Sequence, residues 1–258
     1  MLEVSSILLY QIIASYILPT VRILGVFTSA PLFANRNITP SVKIGLGILI
    51  SLIVTPSLAP VSVDLLAWLG ILAIVQEFLI GLAIGFGMRV VFTAVEMTGE
   101  LISMTMGLGF ATFFDPNSQG HSSSISQFLS AILLLIFMGS DLHLLFLEQL
   151  VNSFNDIPLI DSGLNTKQLH SLAELGGYIF LTGLKLALPI VTALLIMSVT
   201  LGILTKAAPQ LNLFGIGFPL TLMTGFGMFY LIAPYWSVSL TEVLRQGLMM
   251  LDNLTHQH

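Results

Sequence analysis

Four ionisable side chains stand inside an otherwise apolar stretch of the chain, residues 77–106. Glu96 and Glu100 are four residues apart, so a helix places them on one face, with Arg89 about two turns earlier. Charges at membrane depth are costly, and they usually face a protein interior or a water-filled path. One chemistry open to these residues is a proton relay through Glu77, Glu96 and Glu100.

The alternative is a structural role, in which the charges make polar contacts between subunits or line a wet cavity. Transporters built from repeats carry a second, matching set of carboxylates, and this sequence has no such set, so we favour the structural role. Arg22, in the first apolar segment, is either buried against a partner or reaches toward an interface. The residues predicted to make buried polar or subunit contacts are Arg22, Glu77, Arg89, Glu96 and Glu100.

A second group of polar residues raises the question of hydrolysis. Ser140, Asp141 and His143 are close in sequence, and His121 lies upstream. A nucleophile needs a positioned base and an oriented third group, and the sequence contains no G-x-S-x-G or H-E-x-x-H motif. We therefore predict that Ser140 and Asp141 cap a helix break or face a cavity, and that the chain is not an enzyme.

Neither a metal site nor a cofactor is predicted. Asp156, Asp161, His170 and Glu174 occur in the most polar stretch, but their spacing matches no metal-binding pattern. The chain has no cysteine, which removes thiolate ligands, disulfides and cysteine nucleophiles. The sequence has no basic patch, so nucleic acid is not an expected partner.

The composition places the chain in a membrane. Of its 258 residues, 55% are hydrophobic and 8% are charged, with a mean hydropathy of +0.98, whereas soluble domains carry about 25% charged residues. A bilayer span needs roughly 20 mostly apolar residues. The charge-free runs near or above that length are 4–21, 44–63, 186–205 and 207–241. We predict a single all-α integral membrane unit over residues 1–258.

About six long hydrophobic helices are predicted, some of them broken or kinked. Thr39 before Pro40 is typical of a helix start, and Asp64 is a candidate N-cap for the third segment. The third segment is either one long broken helix or two. The predicted segments are 4–31, 42–58, 65–106, 125–154, 178–206 and 214–236.

The last 22 residues, 237–258, are predicted to form a separate amphipathic tail. Ser239 and Glu242 fit a capping box that would begin this helix. A helix with one apolar stripe binds either a membrane interface or a partner. The residues of the stripe are Leu240, Leu244, Leu248 and Leu251.

Glycines add two further features to the charged segment. Gly81 and Gly85 form a GxxxG pair, which lets another helix backbone come close. At Gly107 the segment breaks into a loop that ends near Ser124, and irregular backbone at membrane depth survives only inside protein or beside water. The loop either plugs a pore, with methionines sealing around it, or packs its aromatic rings into a core. Its candidate plug residues are Met104, Met106, Gly107, Gly109, Phe110, Phe113, Phe114, Asp115 and Pro116.

The order of these motifs resembles the FliR family, which includes virulence-secretion counterparts of the flagellar protein. The resemblance rests on the Glu77-xxx-Gly81-xxx-Gly85-Phe run, the Gly-Glu pair at 99–100, the Gly-Leu-Gly at 107–109 and the Asp-Pro at 115–116. A second block agrees with it. That block comprises Ala-Leu-Pro at 187–189, the turn at 202–212 and Gly-Phe-Pro-Leu at 217–220. The likeness covers nearly the whole chain.

The resemblance implies a structural and gating subunit of the flagellar type III export gate, in the bacterial inner membrane at the basal body. It implies FliP and FliQ as partners in the gate, FlhB and FlhA as further partners, and unfolded flagellar proteins as cargo. Residues 1–176 would be FliP-like and residues 177–236 a FliQ-like hairpin, with loop 107–122 as the pore plug. The hairpin turn would contain Lys206, Pro209 and Gln210.

Three alternatives remain open. The first is an export-gate subunit for virulence secretion, and the second is a secondary transporter or proton-channel subunit. The second predicts that neutralising Glu96 or Glu100 abolishes transport. The third is an intramembrane enzyme, which predicts that Ser140, Asp141 or His143 is indispensable.

Overall fold

The protein is described here by a computed structural model that covers residues 2–34, 38–61, 63–65, 67–108, 123–159, 166–208 and 213–255. Within these ranges the chain is α-helical, with one short 3-10 turn at Thr55–Ser57 and no strand. The all-α prediction is therefore confirmed. The helices are α1 (Leu2–Ser29), α2 (Pro40–Val54), α3 (Trp68–Thr105), α4 (Ser124–Gly139), α5 (Leu142–Asp156), α6 (Thr166–Ala207) and α7 (Leu213–Thr255).

Five of these helices, α1, α2, α3, α6 and α7, are long and apolar enough to cross a membrane. The number rises to six if α4 and α5 together count as one broken span. This agrees with the prediction of a polytopic membrane protein with about six hydrophobic helices.

The third predicted segment is a single unbroken helix, α3, of 38 residues. It contains no proline, so nothing in it removes a backbone donor from the helical ladder. It begins at Trp68 rather than at Leu65, because the chain first makes a turn in which the Ala67 amide donates to the Asp64 carbonyl over 3.1 Å. The predicted break is therefore absent, and both alternatives, one broken helix and two separate helices, are wrong.

The fourth predicted segment is divided, at the Gly-Ser-Asp sequence, into α4 and α5. The Ser140 amide donates to the Ile136 carbonyl over 2.9 Å and closes α4. Asp141 occupies the N-cap position of α5 with a left-handed φ of 56°. Aspartate is among the few non-glycine residues that adopt this conformation readily. Of the two roles predicted for Ser140 and Asp141, the structure shows the helix break.

The C-terminal part of the chain differs from the prediction, because α7 runs without a break from Leu213 to Thr255 through Pro219 and Pro234. Ser239 does not begin a helix, and its hydroxyl donates to the Tyr235 carbonyl one turn earlier over 3.1 Å. The leucine stripe is buried by the chain itself, at 0–4% exposure. It therefore does not form the apolar face of a separate interfacial tail. The buried leucines are Leu240, Leu244, Leu248 and Leu251.

The described chain forms two compact units. Unit one comprises residues 1–90, 141–175 and 246–258, and unit two comprises residues 91–140 and 176–245. In unit one the end of α7 packs on α3, where Leu251 fills the space beside Gly87. The Gln149 side chain of α5 donates to the Leu248 carbonyl over 2.8 Å.

In unit one, α1 and α3 cross at glycines. A Cβ atom on Gly81 would overlap the carbonyl oxygen of Arg22, and a Cβ on Gly25 would lie 2.6 Å from the carbonyl oxygen of Phe78. Gly85, one turn beyond Gly81, lies equally close to α1. The GxxxG pair therefore admits a helix of the same chain, and the two backbones touch.

In unit two, the second half of α3 lies against three helices. Phe92 packs edge-on to Phe137 of α4, with ring centroids 6.0 Å apart. The Thr98 hydroxyl donates to the Gly183 carbonyl of α6 over 3.2 Å. Near the end of α3, the Thr221 hydroxyl of α7 donates to the Met106 carbonyl over 3.2 Å.

We expect Gly81→Ala to lower the free energy of unfolding by roughly 1–3 kcal/mol, because the added methyl forces two touching backbones apart. The matched control is Gly45→Ala on α2, where nothing lies within 4 Å of the added atom. Alanine favours helix over glycine by about 1 kcal/mol, so the control stays equal or gains. Melting temperatures of the detergent-solubilised chain measure both. Equal melting temperatures for the two variants would contradict the crossing.

Candidate functional site

The most deeply buried charges of unit one are Arg22 of α1 and Glu77 of α3. The Arg22 Nε donates to Glu77 Oε2 over 2.6 Å, and both side chains are 0% exposed. Each lies one helical turn before a glycine of the crossing, Gly25 and Gly81 respectively. The close approach at the glycines brings the two side chains together and excludes water from them.

The remaining donors of Arg22 bind the end of α5. Its Nη1 donates to the Ser153 carbonyl over 2.8 Å, and its Nη2 donates to the Ile157 carbonyl over 2.9 Å. The guanidinium also lies over the Phe154 ring, 4.5 Å from the ring centroid. The Ser153 carbonyl also accepts from the Ile157 amide over 3.0 Å at the end of α5, where the carbonyls carry the partial negative charge of the helix. Arg22 thus caps α5 from a different helix.

This arrangement is a fixed charge pair with a structural role. The guanidinium carries a positive charge, which must be compensated where it is buried. Glu77 supplies the opposite charge, and two backbone carbonyls accept hydrogen bonds from the Nη1 and Nη2 groups of Arg22. The contacts of Arg22 join α1, α3 and α5 at one point.

The carboxylates of Glu96 and Glu100 belong to unit two and bind α4. Ser130 Oγ donates to Glu96 Oε1 over 3.1 Å, and Ser126 Oγ donates to the Glu96 carbonyl over 2.7 Å. The Ser123 amide donates to Glu100 Oε2 over 3.1 Å. Both glutamates are half-buried. The three hydrogen bonds join α3 to the start of α4.

The N-terminus of α4 is therefore held from two sides. Ser123 is its N-cap, and its hydroxyl accepts from the Ser126 amide over 3.2 Å. The Glu100 carboxylate accepts from the amide of Ser123 itself. In a capping box a glutamate of the same helix makes this bond, whereas here the glutamate belongs to the neighbouring helix α3. Gly99 lets the backbones meet, since a Cβ there would overlap the Ser126 backbone. The negative charge lies near the positive end of α4.

The end of α3 is fixed by a glycine. Gly107 has a φ of 84°, its amide donates to the Met104 carbonyl over 3.1 Å, and the Leu108 amide donates to the Ser103 carbonyl over 3.1 Å. This pair of bonds is a Schellman motif with glycine at the left-handed position. The helix ends where the Gly-Leu-Gly sequence predicted a break.

The two methionines that were predicted to seal a plug differ in their surroundings. Met106 is fully buried, with its side chain filling the space beside Gly225 of α7. Met104 is 67% exposed. Met106 therefore packs into the interior of unit two rather than facing a pore. Of the two methionines, only Met104 has an exposed side chain.

Arg89 is exposed within this chain, so it makes no buried contact here and its predicted contact with another subunit stays a prediction. It continues a stripe on α3 that includes Val75, Leu79 and Phe86, which are 44–52% exposed. The helical period places this stripe away from the glycine face that packs on α1. An apolar sequence context alone does not separate these two faces.

Lys206 lies exposed in the last turn of α6, where a cation faces the negative end of the helix. Several other predicted positions lie outside the described residues. These are Gly109, Phe110, Phe113, Phe114, Asp115, Pro116, His121, Asp161, Pro209 and Gln210.

The residues of the hydrolase and metal hypotheses are placed at the surface or partly so. Ser140 and Asp141 are exposed at the helix break, and His143 is half-buried in the first turn of α5. Among the described residues no group of three or more histidine, aspartate or glutamate side chains is placed to hold a metal ion.

Two further patterns in the sequence indicate these contacts. Arg22 precedes Gly25 by three residues and Glu77 precedes Gly81 by four, so two charge–glycine pairs predict one crossing. Ser123, Ser126 and Ser130 share one face of a helix, which matches the face shared by the two glutamates. The carbonyls of Ser153 and Ile157 had no signal, because a backbone carbonyl is present at every position.

Two comparisons with known proteins agree with each other. The family described as "Bacterial export proteins, family 1" matches residues 13–247. A flagellar biosynthetic protein FliR of Pectobacterium carotovorum subsp. carotovorum is 40% identical over 222 residues, 86% of this chain and 85% of the relative. That of Escherichia coli strain K12 is 37% identical over 247 residues, 94% and 95% respectively. That of Bacillus subtilis strain 168 is 28% identical over 218 residues, 83% and 84%.

We expect Arg22→Met to lower the free energy of unfolding by roughly 3–5 kcal/mol, since it leaves a buried carboxylate uncompensated. It also uncaps α5, so hydrogen exchange over residues 150–157 should accelerate. Glu77→Gln should cost a similar amount, because it leaves a buried guanidinium uncompensated. It should nevertheless leave that exchange nearly unchanged, because Arg22 still binds both carbonyls. The control, Arg89→Met, replaces an exposed arginine and should be near neutral. Equal acceleration of exchange in both Arg22 and Glu77 variants would contradict an independent capping role for Arg22.

Proposed function

This chain belongs to family 1 of the bacterial export proteins, and we propose that it is a structural and gating subunit of the flagellar type III export gate. On this proposal it forms part of the channel through which unfolded flagellar proteins pass. The coarser statement, that the chain is a membrane component of flagellar protein export, follows from its family and its apolar helices. The finer statement is supported by its exposed apolar surface and by its sequence motifs.

The observation that carries the proposal is the mismatch between helix length and bilayer thickness. Helices α3, α6 and α7 each contain a strongly apolar window within 38, 39 and 39 helical residues, which is about 57–59 Å at 1.5 Å per residue. The hydrocarbon core of a bilayer is about 30 Å thick. Lipid can cover only about half of each segment, so the remaining apolar surface needs other protein subunits.

The helix with the least internal cover is α7, in which 11% of the most apolar window is buried by the chain itself. Its exposed side chains are large, with Met223, Phe226 and Tyr230 at 58–82% exposure. Partner helices that are themselves apolar fit such a face. We propose FliP and FliQ as these partners, FlhB and FlhA as further partners, and the bacterial inner membrane at the flagellar basal body as the location.

The segment between α3 and α4 is proposed to be the pore plug. The described ends of this segment support the proposal, because Gly107 terminates α3 and Glu100 holds the Ser123 amide at the start of α4. Between these points the sequence supplies three phenylalanines and an Asp-Pro pair. A ring of apolar side chains blocks ions by expelling water.

The contacts of the glutamates favour the export gate over a proton-conducting transporter. Glu77 is the counter-ion of Arg22, and Glu96 and Glu100 bind α4. Each carboxylate thus has a structural task that needs no proton transfer. The relatives described above are flagellar proteins, which favours flagellar over virulence cargo. We propose no covalent chemistry for this chain.

We expect a variant shortened between residues 107 and 122 to assemble normally but to leak small ions. Native mass spectrometry of the tagged complex from mild detergent tests assembly, and should detect this chain with several copies of two smaller helical membrane proteins. Ion flux across vesicles containing the complex tests the seal. A full-length variant with serine at positions 110, 113 and 114 should leak as well, whereas Phe128→Ser on the exposed face of α4 should not.

Two results would contradict the proposal. An assembled, shortened variant with unchanged ion flux would refute the plug. A lone monomer that transports a small solute would refute the export gate as a whole.

The role of Glu100 separates the two functions further. We expect Glu100→Gln to keep most flagellar protein export, because the amide oxygen still accepts from the Ser123 amide. Glu100→Ala should lose export and about 1 kcal/mol of stability, as a lost cap does. The same pair of changes at Glu148, exposed on α5, is the control. Export from secreting cells measures the outcome, and equal loss in both Glu100 variants would favour proton transfer.

A further inference from the structure

The end of α3 is held by α7 at a glycine. A Cβ atom on Gly225 would lie 2.5 Å from Cε, 2.7 Å from Sδ and 2.8 Å from Cγ of Met106. The methionine side chain thus fills the space over Gly225, which we call the Gly225 notch. Met106 is fully buried there. Methionine is flexible enough to follow the shape of such a notch, so the contact is made by close packing and needs no charge.

The backbone of the same methionine meets α7 a second time. The Thr221 hydroxyl, one turn before Gly225, lies 3.2 Å from the Met106 carbonyl and 2.9 Å from the Phe218 carbonyl, so its hydrogen is shared between the two. Carbonyls at the end of a helix generally lack a partner within that helix. The Thr221 hydroxyl offers one to Met106.

Met106 directly precedes the turn in which the chain leaves α3. Gly107 has its left-handed φ of 84°, and the amides of Gly107 and Leu108 donate to the carbonyls of Met104 and Ser103. These bonds close the turn onto the last turn of the helix. Fixing Met106 therefore also fixes the direction in which the chain leaves α3.

The first half of α7 has few other points that its own chain covers fully. Among the described residues 215–235, the only buried positions are Gly217 and Gly225. The neighbours of Gly225 are open, with Met223 at 73% and Phe226 at 58% exposure. The Gly225 notch is thus one of two places where this half of α7 is fully covered within unit two.

We propose that Met106 is a positioning residue for the plug, because its seat in the Gly225 notch fixes to α7 the point where loop 107–122 begins. This inference rests on the proposed function, since it takes that loop to be the plug. The other end of the loop is attached to α3 itself, through Glu100 and the Ser123 amide. Simple core packing would place a buried methionine anywhere along α3, whereas this one directly precedes the left-handed turn.

The test is Gly225→Ala in the full chain, purified with its natural partners. The added methyl displaces Met106, whose flexible side chain supplies all three of the closest atoms. We expect hydrogen exchange of the amides of residues 107 and 108 to accelerate severalfold, while native mass spectrometry still detects the complex. We also expect ion flux across vesicles containing the complex to rise toward that of the variant with a shortened loop.

Two other glycines of unit two provide matched controls. Gly227→Ala adds a methyl to the same helix with nothing within 4 Å, and should change neither measurement. Gly183→Ala places a methyl of α6 at 3.0 Å from the Ala94 carbonyl of α3, well before the end of that helix. It should lower the melting temperature but change neither the exchange of residues 107 and 108 nor the ion flux. A purely structural role for the notch would make Gly225→Ala behave like Gly183→Ala, which would overturn the proposal.

A double variant tests whether Gly225 acts through Met106. Met106→Ala removes the three atoms that meet the notch, and should by itself accelerate the exchange and raise the ion flux. Gly225→Ala should add nothing in that background, because no side chain is left to displace. Additive effects of the two changes would overturn the proposal, since Gly225 would then act through another contact.

The two measurements separate a failure of the positioning role from a failure of the plug. Unchanged exchange in Gly225→Ala overturns the positioning role, whatever the loop does. Faster exchange without a leak, in a complex whose shortened variant does leak, also overturns the positioning role but leaves the plug standing. If neither variant leaks, the plug itself is refuted and the positioning role with it.

Discussion

Arg22 and Glu77 place a positive and a negative charge at a helix crossing from which water is excluded. Such a pair is stable only if both charges and all strong donors find partners, because desolvation costs several kcal/mol per ion. The glycines beside the pair let the two helices approach closely enough for the charges to meet. Two carbonyls at the end of α5 accept further hydrogen bonds from Arg22. The positions of α1, α3 and α5 in unit one therefore depend on this single cluster.

Helix α3 extends the same principle into unit two with weaker groups. Gly99 lets the backbones of α3 and α4 meet, and the carboxylates of Glu96 and Glu100 accept hydrogen bonds from the start of α4 rather than pairing with a second charge. Where the neighbouring surfaces are apolar throughout, hydrophobic contact gives little preference for one register over another. Hydrogen bonds at a few points select the register, because a buried polar group without a hydrogen-bond partner destabilises the fold.

Much of the fold was predictable from sequence, since runs of apolar residues longer than a strand can only be satisfied as helices in a membrane. The breaks were less predictable. A helix end at residue 236 and a new start at Ser239 were predicted, yet α7 continues through both positions. In the site, Glu77 and Arg89 share one apolar context, but one is buried and the other exposed. Only the packing of neighbouring helices decides which face of α3 is covered.

The capping of α5 by Arg22 has a consequence for how this protein can change over evolution. Ser153 and Ile157 accept through their main-chain oxygens, which any residue there would offer. Substitution at those two sites therefore leaves the contact in place, whereas substitution of Arg22 removes it. Analysis of correlated changes among related sequences should recover the coupling between Arg22 and Glu77. It should miss the contact between α1 and α5, although both contacts involve the same guanidinium.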